Sequence, residues 1–224
     1  MDMTLSLWWG KEKSLASLFR KKSQKRVVFL ASGRGSNFEA CAVKIKDKTL
    51  SCEPVGLITD NAEAKAILIA KKYKIPTYIV DYKGFGNRSE FNSALANQLD
   101  ELRPDLIVTV GFMKILPQEI VKTYKNRIIN IHPSLLPAFP GINSQRQAIE
   151  YGAKISGCTV HFIDEGVDTG AIILQSPVTI ESGMTESQLS LKILKEEHKI
   201  LPKAIQYFLN DKIKIEGRKV RLIK

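Results

Sequence analysis

The chain has 224 residues, 44% hydrophobic and 25% charged, a balance that excludes a disordered or low-complexity polypeptide and suits one generous globular domain. Its longest apolar runs, Val27 to Ala31 and Leu106 to Val110, are too short to cross a bilayer. The net charge of +11 is concentrated at the ends: residues 1–26 hold seven lysines and arginines against two acids, residues 212–224 hold six against one, and the interval between them holds 21 basic and 20 acidic side chains. That argues against nucleic acid as a partner, because a body that binds it carries a basic face of its own.

Residues 1–25 read as a flexible basic extension ahead of a domain spanning 26–224. Leu5, Leu7, Trp8 and Trp9 precede the lysines rather than follow them, and no small-residue cleavage site comes after, which is the reverse of a signal peptide. Val27 to Ala31 is a continuous apolar run, the mark of a strand covered on both faces. A turn over Ser32 to Asn37 and a helix from Phe38 to Ile45 follow. Val55 to Thr59 reads as a strand, Ala62 to Tyr73 as a helix and Thr77 to Val80 as a strand. Arg88 to Glu101 is a helix ended by Pro104, Leu106 to Val110 a strand, Pro117 to Tyr124 a helix and Arg127 to Ile131 a strand. This alternation predicts an α/β fold with a doubly wound, mostly parallel sheet.

Beyond residue 132 prolines and glycines crowd into an ordered loop, with a helix at Gln145 to Tyr151. Thr159 to Ile163 and Ala171 to Leu174 are close enough to form a late antiparallel addition to the sheet. Glu186 to Leu209 is a long amphipathic helix that Pro202 is expected to bend or divide.

Two segments carry chemistry. Gly33-x-Gly35-Ser36-Asn37 joins a buried strand to a helix, where glycines allow a tight turn and free backbone N–H groups attract an anion. A plain helix cap has the same composition, and the segment lacks a full nucleotide-binding signature. Asn130-Ile131-His132-Pro133 places an amide and an imidazole two residues apart at a strand end, so both leave one face where ligands of open α/β sheets sit. Together they can address one developing oxyanion. Asp168, in an acidic turn, would raise the imidazole pKa above about 6.5 if it lay beside the ring. A structural histidine and an ordinary acidic turn are the alternatives. His132, His161 and His198 lack metal-ligand spacing, and Cys41, Cys52 and Cys158 form no CxxC, so no metal and a reduced, cytoplasmic setting are expected. His161, inside an apolar strand, reads as a core histidine, and His198 as support for Glu197.

Gly33-x-Gly35-Ser36-Asn37, Gly111-Phe112-Met113-Lys114-Ile115-Leu116, Asn130-x-His132-Pro133-Ser134-Leu135-Leu136-Pro137 and Asp168-x-Gly170 near Gln175 follow one another as in the phosphoribosylglycinamide formyltransferase family, which the chain resembles over about residues 26 to 210. The resemblance implies transfer of a formyl group from 10-formyltetrahydrofolate, as co-substrate, to glycinamide ribonucleotide in purine biosynthesis. It implies Asn130, His132 and Asp168 as the catalytic trio and Gly35, Ser36, Asn37 and Glu197 as substrate contacts. It implies Arg88, Met113, Lys114, Ile115, Leu116 and Asn130 as the folate contacts. Partners are then small molecules, with no membrane, in a monomer or homodimer. Lys114 stands where arginine also occurs, Ala171 where proline is common, and residues 141–145 lack the histidines of some members, which leaves substrate contacts in that loop open. Methionyl-tRNA formyltransferases carry a further C-terminal RNA-binding domain and formyltetrahydrofolate deformylases an N-terminal regulatory domain, and neither is expected here. A non-catalytic folate- or nucleotide-binding protein would not need the trio.

Overall fold

The computed structural model describes residues 24–223, so the expected extension falls almost wholly outside it. β1 (Arg26–Leu30) leads into α1 (Ser36–Lys46), β2 (Glu53–Thr59), α2 (Ala66–Tyr73) and β3 (Thr77–Ile79). A 3-10 turn (Tyr82–Gly84), α3 (Arg88–Leu102), β4 (Leu106–Thr109), α4 (Gln118–Thr123) and β5 (Ile128–His132) complete the parallel part. Then come α5 (Ser144–Glu150), β6 (Ile155–Phe162), β7 (Ile172–Thr179), α6 (Glu186–Leu209) and a hairpin of β8 (Ile213–Glu216) and β9 (Lys219–Leu222). Seven strands form one sheet in the order β3-β2-β1-β4-β5-β6-β7, with β8 and β9 apart as a second, two-stranded sheet. Pairing is parallel from β3 to β5 and antiparallel for β5 with β6 and β6 with β7.

The apolar runs have the cause expected of them. Val27 and Phe29 enter a core shared with α1, α2 and α6, whereas Val28 and Leu30 enter a second core under α3 and α4. Each strand residue thus meets a helix on one side or the other, and each fully buried leucine or isoleucine contributes about 2 kcal/mol. Strand order reverses between β1 and β4, which opens a crevice at their carboxyl ends.

Three boundaries differ from the expectation by four residues or more, and one expected break is absent. α2 starts at Ala66 rather than Ala62, because the Asn61 side chain accepts from the Glu63 N–H at 3.0 Å and holds a turn there. β6 begins at Ile155, ahead of Thr159. β7 runs on through Pro177, which an edge strand tolerates because its outward amide has no ladder partner to lose. Pro202 does not divide α6, which is continuous; Leu201, Pro202, Ala204 and Ile205 are buried together, and that packing offsets the lost backbone bond.

At one corner the Lys25 ammonium pairs with Asp211 and donates to the Phe208 carbonyl at 3.1 Å, while the Ile223 N–H reaches the Lys212 carbonyl at 2.9 Å. No helix among the described residues is long and apolar enough to cross a membrane.

Candidate active site

Three strands bring the polar residues together. β5 carries Asn130 and His132, and in the antiparallel register Asn130 lies directly opposite His161 of β6. On the other side Thr109 of β4 lies opposite Asn130. Asp168 comes from the turn between β6 and β7, in a left-handed backbone conformation (φ 54°). Its Oδ2 lies 3.2 Å from His132 Nδ1, and its Oδ1 lies 3.5 Å from His161 Nε2. The structure therefore unites Asn130, His132 and Asp168, and adds Thr109 and His161.

The loop after His132 is pinned rather than slack. Thr159 Oγ1 donates to the Ser134 carbonyl at 2.7 Å and accepts the Leu136 N–H at 3.0 Å. Gln175 Nε2 bonds the Leu136 carbonyl at 2.8 Å. The Gly141 N–H then donates to Asp168 Oδ2 at 2.8 Å, tying this loop to the acidic turn. From the other side Arg218 of the hairpin donates to the Thr169 carbonyl at 2.9 Å.

His132 is 4% exposed, and its Nε2–H donates to the Phe139 carbonyl at 2.9 Å. Asp168 does push the imidazole pKa up, but the expected rise above about 6.5 is not met. Burial is the largest influence and carries the ring below its ordinary value, with the Phe139 carbonyl and the Asp168 carboxylate pushing back only in part. Burial also pushes the Asp168 carboxyl up, but His161, the Gly141 N–H and His132 more than offset this and hold it low. The two contacts of the ring nevertheless favour the imidazolium, since either neutral tautomer turns a bare nitrogen toward an oxygen.

A stability window follows. Between the folded pKa of His132 and about 6.5 the unfolded chain binds the proton more readily, so stability is complete above that window and is lost as pH falls through it. The Asp168 contribution has the opposite cause but the same direction, and is lost only below the usual carboxylate value. The melting temperature should fall between pH 7.5 and 5.5, and fall less in His132→Gln. An equal fall in both proteins would contradict this assignment.

A cavity of about 170 Å³ opens beside these groups, lined by Thr109, Asn130, His161 and Asp168 at one end and by Phe112, Leu116, Val121 and Ile163 along its wall. His132 does not line it; it stands behind Asp168. Lys114 and Ile115 also border the cavity, and Lys114 Nζ lies 3.6 Å from the centre of the Tyr82 ring. Met113 (71% exposed) and Ile115 (65%) face solvent at its rim. Arg88, the first residue of α3, reaches the Ile115 carbonyl at 3.3 Å, so the residues expected around a folate are neighbours.

The glycine turn follows β1, the neighbour of β4 in the sheet. Gly35 is left-handed (φ 74°), and a Cβ there would stand 2.8 Å from Ala66 Cβ, so both conformation and space demand glycine. No side chain caps α1, which leaves its first amides for an anion. Ser36 and Asn37 begin the helix, but the Asn37 side chain is engaged elsewhere: its Nδ2 donates to Glu197 Oε2 at 2.7 Å. Glu197 is 6% exposed, and burial raises its carboxyl against the pull of that bond. The Met113 N–H donates to Ser32 Oγ at 2.8 Å and so joins the turn to the cavity rim.

His161 and Thr109 escaped the reading of the sequence. His161 is a buried core histidine, as expected, but it also borders the cavity. A signal existed for Thr109, the one hydroxyl in the apolar run Leu106 to Val110. His198 makes no hydrogen bond to Glu197; it borders a broader, more open depression of about 540 Å³ with Lys192, Lys195 and Lys199, which shares no lining residue with the cavity. All three cysteines are buried and free, and burial pushes the Cys52 and Cys158 thiols up to about 12, so neither supplies a thiolate near neutrality.

A formyl transferase family model matches residues 25–205, and the chain belongs to that family. More particularly, it is similar to the phosphoribosylglycinamide formyltransferase of Bacillus subtilis (strain 168), at 39% identity over 185 residues that cover 83% of this chain and 95% of the relative. Among solved structures, glycinamide ribonucleotide transformylase 1 from Symbiobacterium toebii superposes with a TM-score of 0.88 at 39% identity, over 91% of this chain and 96% of that one. The trifunctional purine biosynthetic protein adenosine-3 of Gallus gallus is 39% identical over 190 residues, of which this chain spans only 19% of the whole length.

Proposed function

We propose that residues 26–224 form a catalytic domain that transfers the formyl group of 10-formyltetrahydrofolate to the primary amine of glycinamide ribonucleotide in purine biosynthesis. One observation carries the reading: the loops after β1 and β4, joined through Ser32 and Met113, hold an anion cradle at the start of α1 and, beside it, an apolar slot whose lining includes Asn130 and Asp168. The cradle suits a phosphate, the slot suits a flat heteroaromatic ring, and the polar groups suit the reacting carbon. The named Bacillus and Symbiobacterium relatives, matched over nearly their whole lengths, support the same substrates.

The chemistry needs no nucleophile from the chain. The amine attacks the formyl carbon, the carbonyl electrons move to oxygen, and a tetrahedral oxyanion forms. Asn130 donates to that oxygen, one such donor being worth about 3 kcal/mol. As negative charge develops in the cavity, the protonated form of His132, held 3.2 Å from Asp168, is stabilised more in the transition state than in the free enzyme. Asp168, between both histidines, holds that proton and passes it through water to the folate nitrogen as the carbon–nitrogen bond breaks. The ammonium formed on the acceptor loses the balancing proton to solvent. We place this activity in the cytoplasm, in a monomer or homodimer.

The test offers purified protein and 10-formyltetrahydrofolate three acceptors: glycinamide ribonucleotide, methionyl-tRNA and water. Formylation of the ribonucleotide alone is the expected result. Formylated tRNA, or formate released without an acceptor, would replace this reading.

A further inference from the structure

We propose that Thr109 is a positioning residue that fixes which way the Asn130 carboxamide faces, and thereby supplies the cavity with an N–H donor. The inference rests on the formyl-transfer reading only for the use of that donor.

A carboxamide has two ends of similar shape and opposite hydrogen-bonding sense, so a buried asparagine donates usefully only if its neighbours reject the flipped state. The neighbours of Asn130 form a chain of defined polarity. His161 is 1% exposed, and its Nδ1 lies 2.8 Å from the Phe162 carbonyl, which can only accept. Nδ1 therefore carries the proton, and in the neutral ring Nε2 is the acceptor. Asn130 Nδ2 meets that nitrogen at 3.1 Å, closer than Asp168 Oδ1 at 3.5 Å, and donates to it in that tautomer. Oδ1 is thereby turned toward β4, where Thr109 Oγ1 lies 2.6 Å away.

The Thr109 hydroxyl has one proton and two acceptors in reach: Asn130 Oδ1 at 2.6 Å and the Ile129 carbonyl at 3.4 Å. The shorter contact takes it. Thr109 is 3% exposed, and the parallel register sets it opposite Asn130, so no water is needed in this role. With Oδ1 held by Thr109 and one Nδ2–H given to His161, the second N–H is uncommitted, and Asn130 lines the cavity. That N–H is the one available to a developing oxyanion.

Among the described residues, removing the hydroxyl takes away the only side-chain donor to Oδ1. The buried oxygen is then unsatisfied, and the amide samples orientations in which oxygen rather than N–H meets the cavity. Thr109→Val keeps the shape of the side chain, and Thr109→Ser keeps the hydroxyl. In steady-state transfer to glycinamide ribonucleotide, Thr109→Val should lose about 5- to 30-fold in kcat, between one ordinary hydrogen bond and one oxyanion donor. KM for both substrates should stay within about 2-fold. Thr109→Ser should stay within about 3-fold of the parent in kcat. Thr109→Ala is expected to behave as the valine variant does and serves if that protein does not fold. Wild-type turnover in Thr109→Val, or equal losses in the serine and valine variants, would overturn the proposal.

An activity-independent readout separates this idea from the functional one. The Asn130 side-chain amide pair, assigned by its disappearance in Asn130→Asp, should shift in the ¹⁵N-correlated NMR spectrum of Thr109→Val and stay near its parent position in Thr109→Ser. An unmoved pair in Thr109→Val sinks the anchor even if formyl transfer is confirmed. An inactive parent with the shift present sinks the substrate assignment and leaves the anchor standing.

Discussion

Replacing Asp168 with asparagine should lower kcat by about 10²-fold or more, and His132→Ala should do the same. The asparagine change is a clean probe because of where the residue sits. Asp168 has φ 54°, a conformation asparagine accepts, and its amide oxygen can still take the Gly141 N–H. What disappears is charge: the carboxylate beside His132 Nδ1 and His161 Nε2. Burial then acts on His132 unopposed from that side, and its proton is lost to the mechanism. Since the two residues work as a unit, the double variant should be little worse than the weaker single one. Purified proteins assayed with saturating folate and ribonucleotide decide the matter, and near-normal turnover in either single variant would remove the pair from the chemistry.

Gly170→Ala is the second large effect, and it acts through the backbone. A Cβ on Gly170 would stand 1.8 Å from the Phe162 carbonyl oxygen and 2.8 Å from its carbon. These are main-chain atoms of β6, one residue past His161, where the Phe162 N–H also bonds the Ala171 carbonyl at 2.9 Å. No rotamer change relieves such a clash, so strand and turn must part. A cost of about 3 kcal/mol is expected, or a melting temperature lower by roughly 6–12 °C. Asp168 moves with the turn, so kcat should fall as well. Gly84→Ala, with nothing within 4 Å of the added carbon, is the control and should melt with the parent. A Gly170 variant that also melted with the parent would mean that the turn gives way freely.

The sheet was legible because its strands are covered on both faces: runs such as Val27 to Leu30 have no polar alternation to confuse with a helix. The start of β6 was hidden, since Ser156, Gly157 and Cys158 carry little strand preference and pair only because β7 lies alongside. The glycine turn, Asn130 and His132 were visible from local order alone, as strand-to-loop junctions with distinctive residues. The part played by His161 was not, because its meaning comes from register: only the switch from parallel to antiparallel pairing after β5 sets it across from Asn130. Nor could spacing forecast the balance at His132, where burial outweighs a carboxylate 3.2 Å away. Proximity favours the charged ring, and only the packing of the surrounding loop tells how much water has been removed from it.

The meeting of Lys25 with Asp211, and of Ile223 with Lys212, has a topological consequence. The two ends of the described chain occupy one corner, so the order in which the elements are covalently strung is separable from the way they pack. A few residues joining those ends would close the polypeptide into a ring. That ring can be cut at an exposed bend such as Gly183, between β7 and α6, without parting any two hydrogen-bonded strands. A circularly permuted chain would then begin with the long helix and end on the edge strand, with the catalytic crevice assembled from the same neighbours.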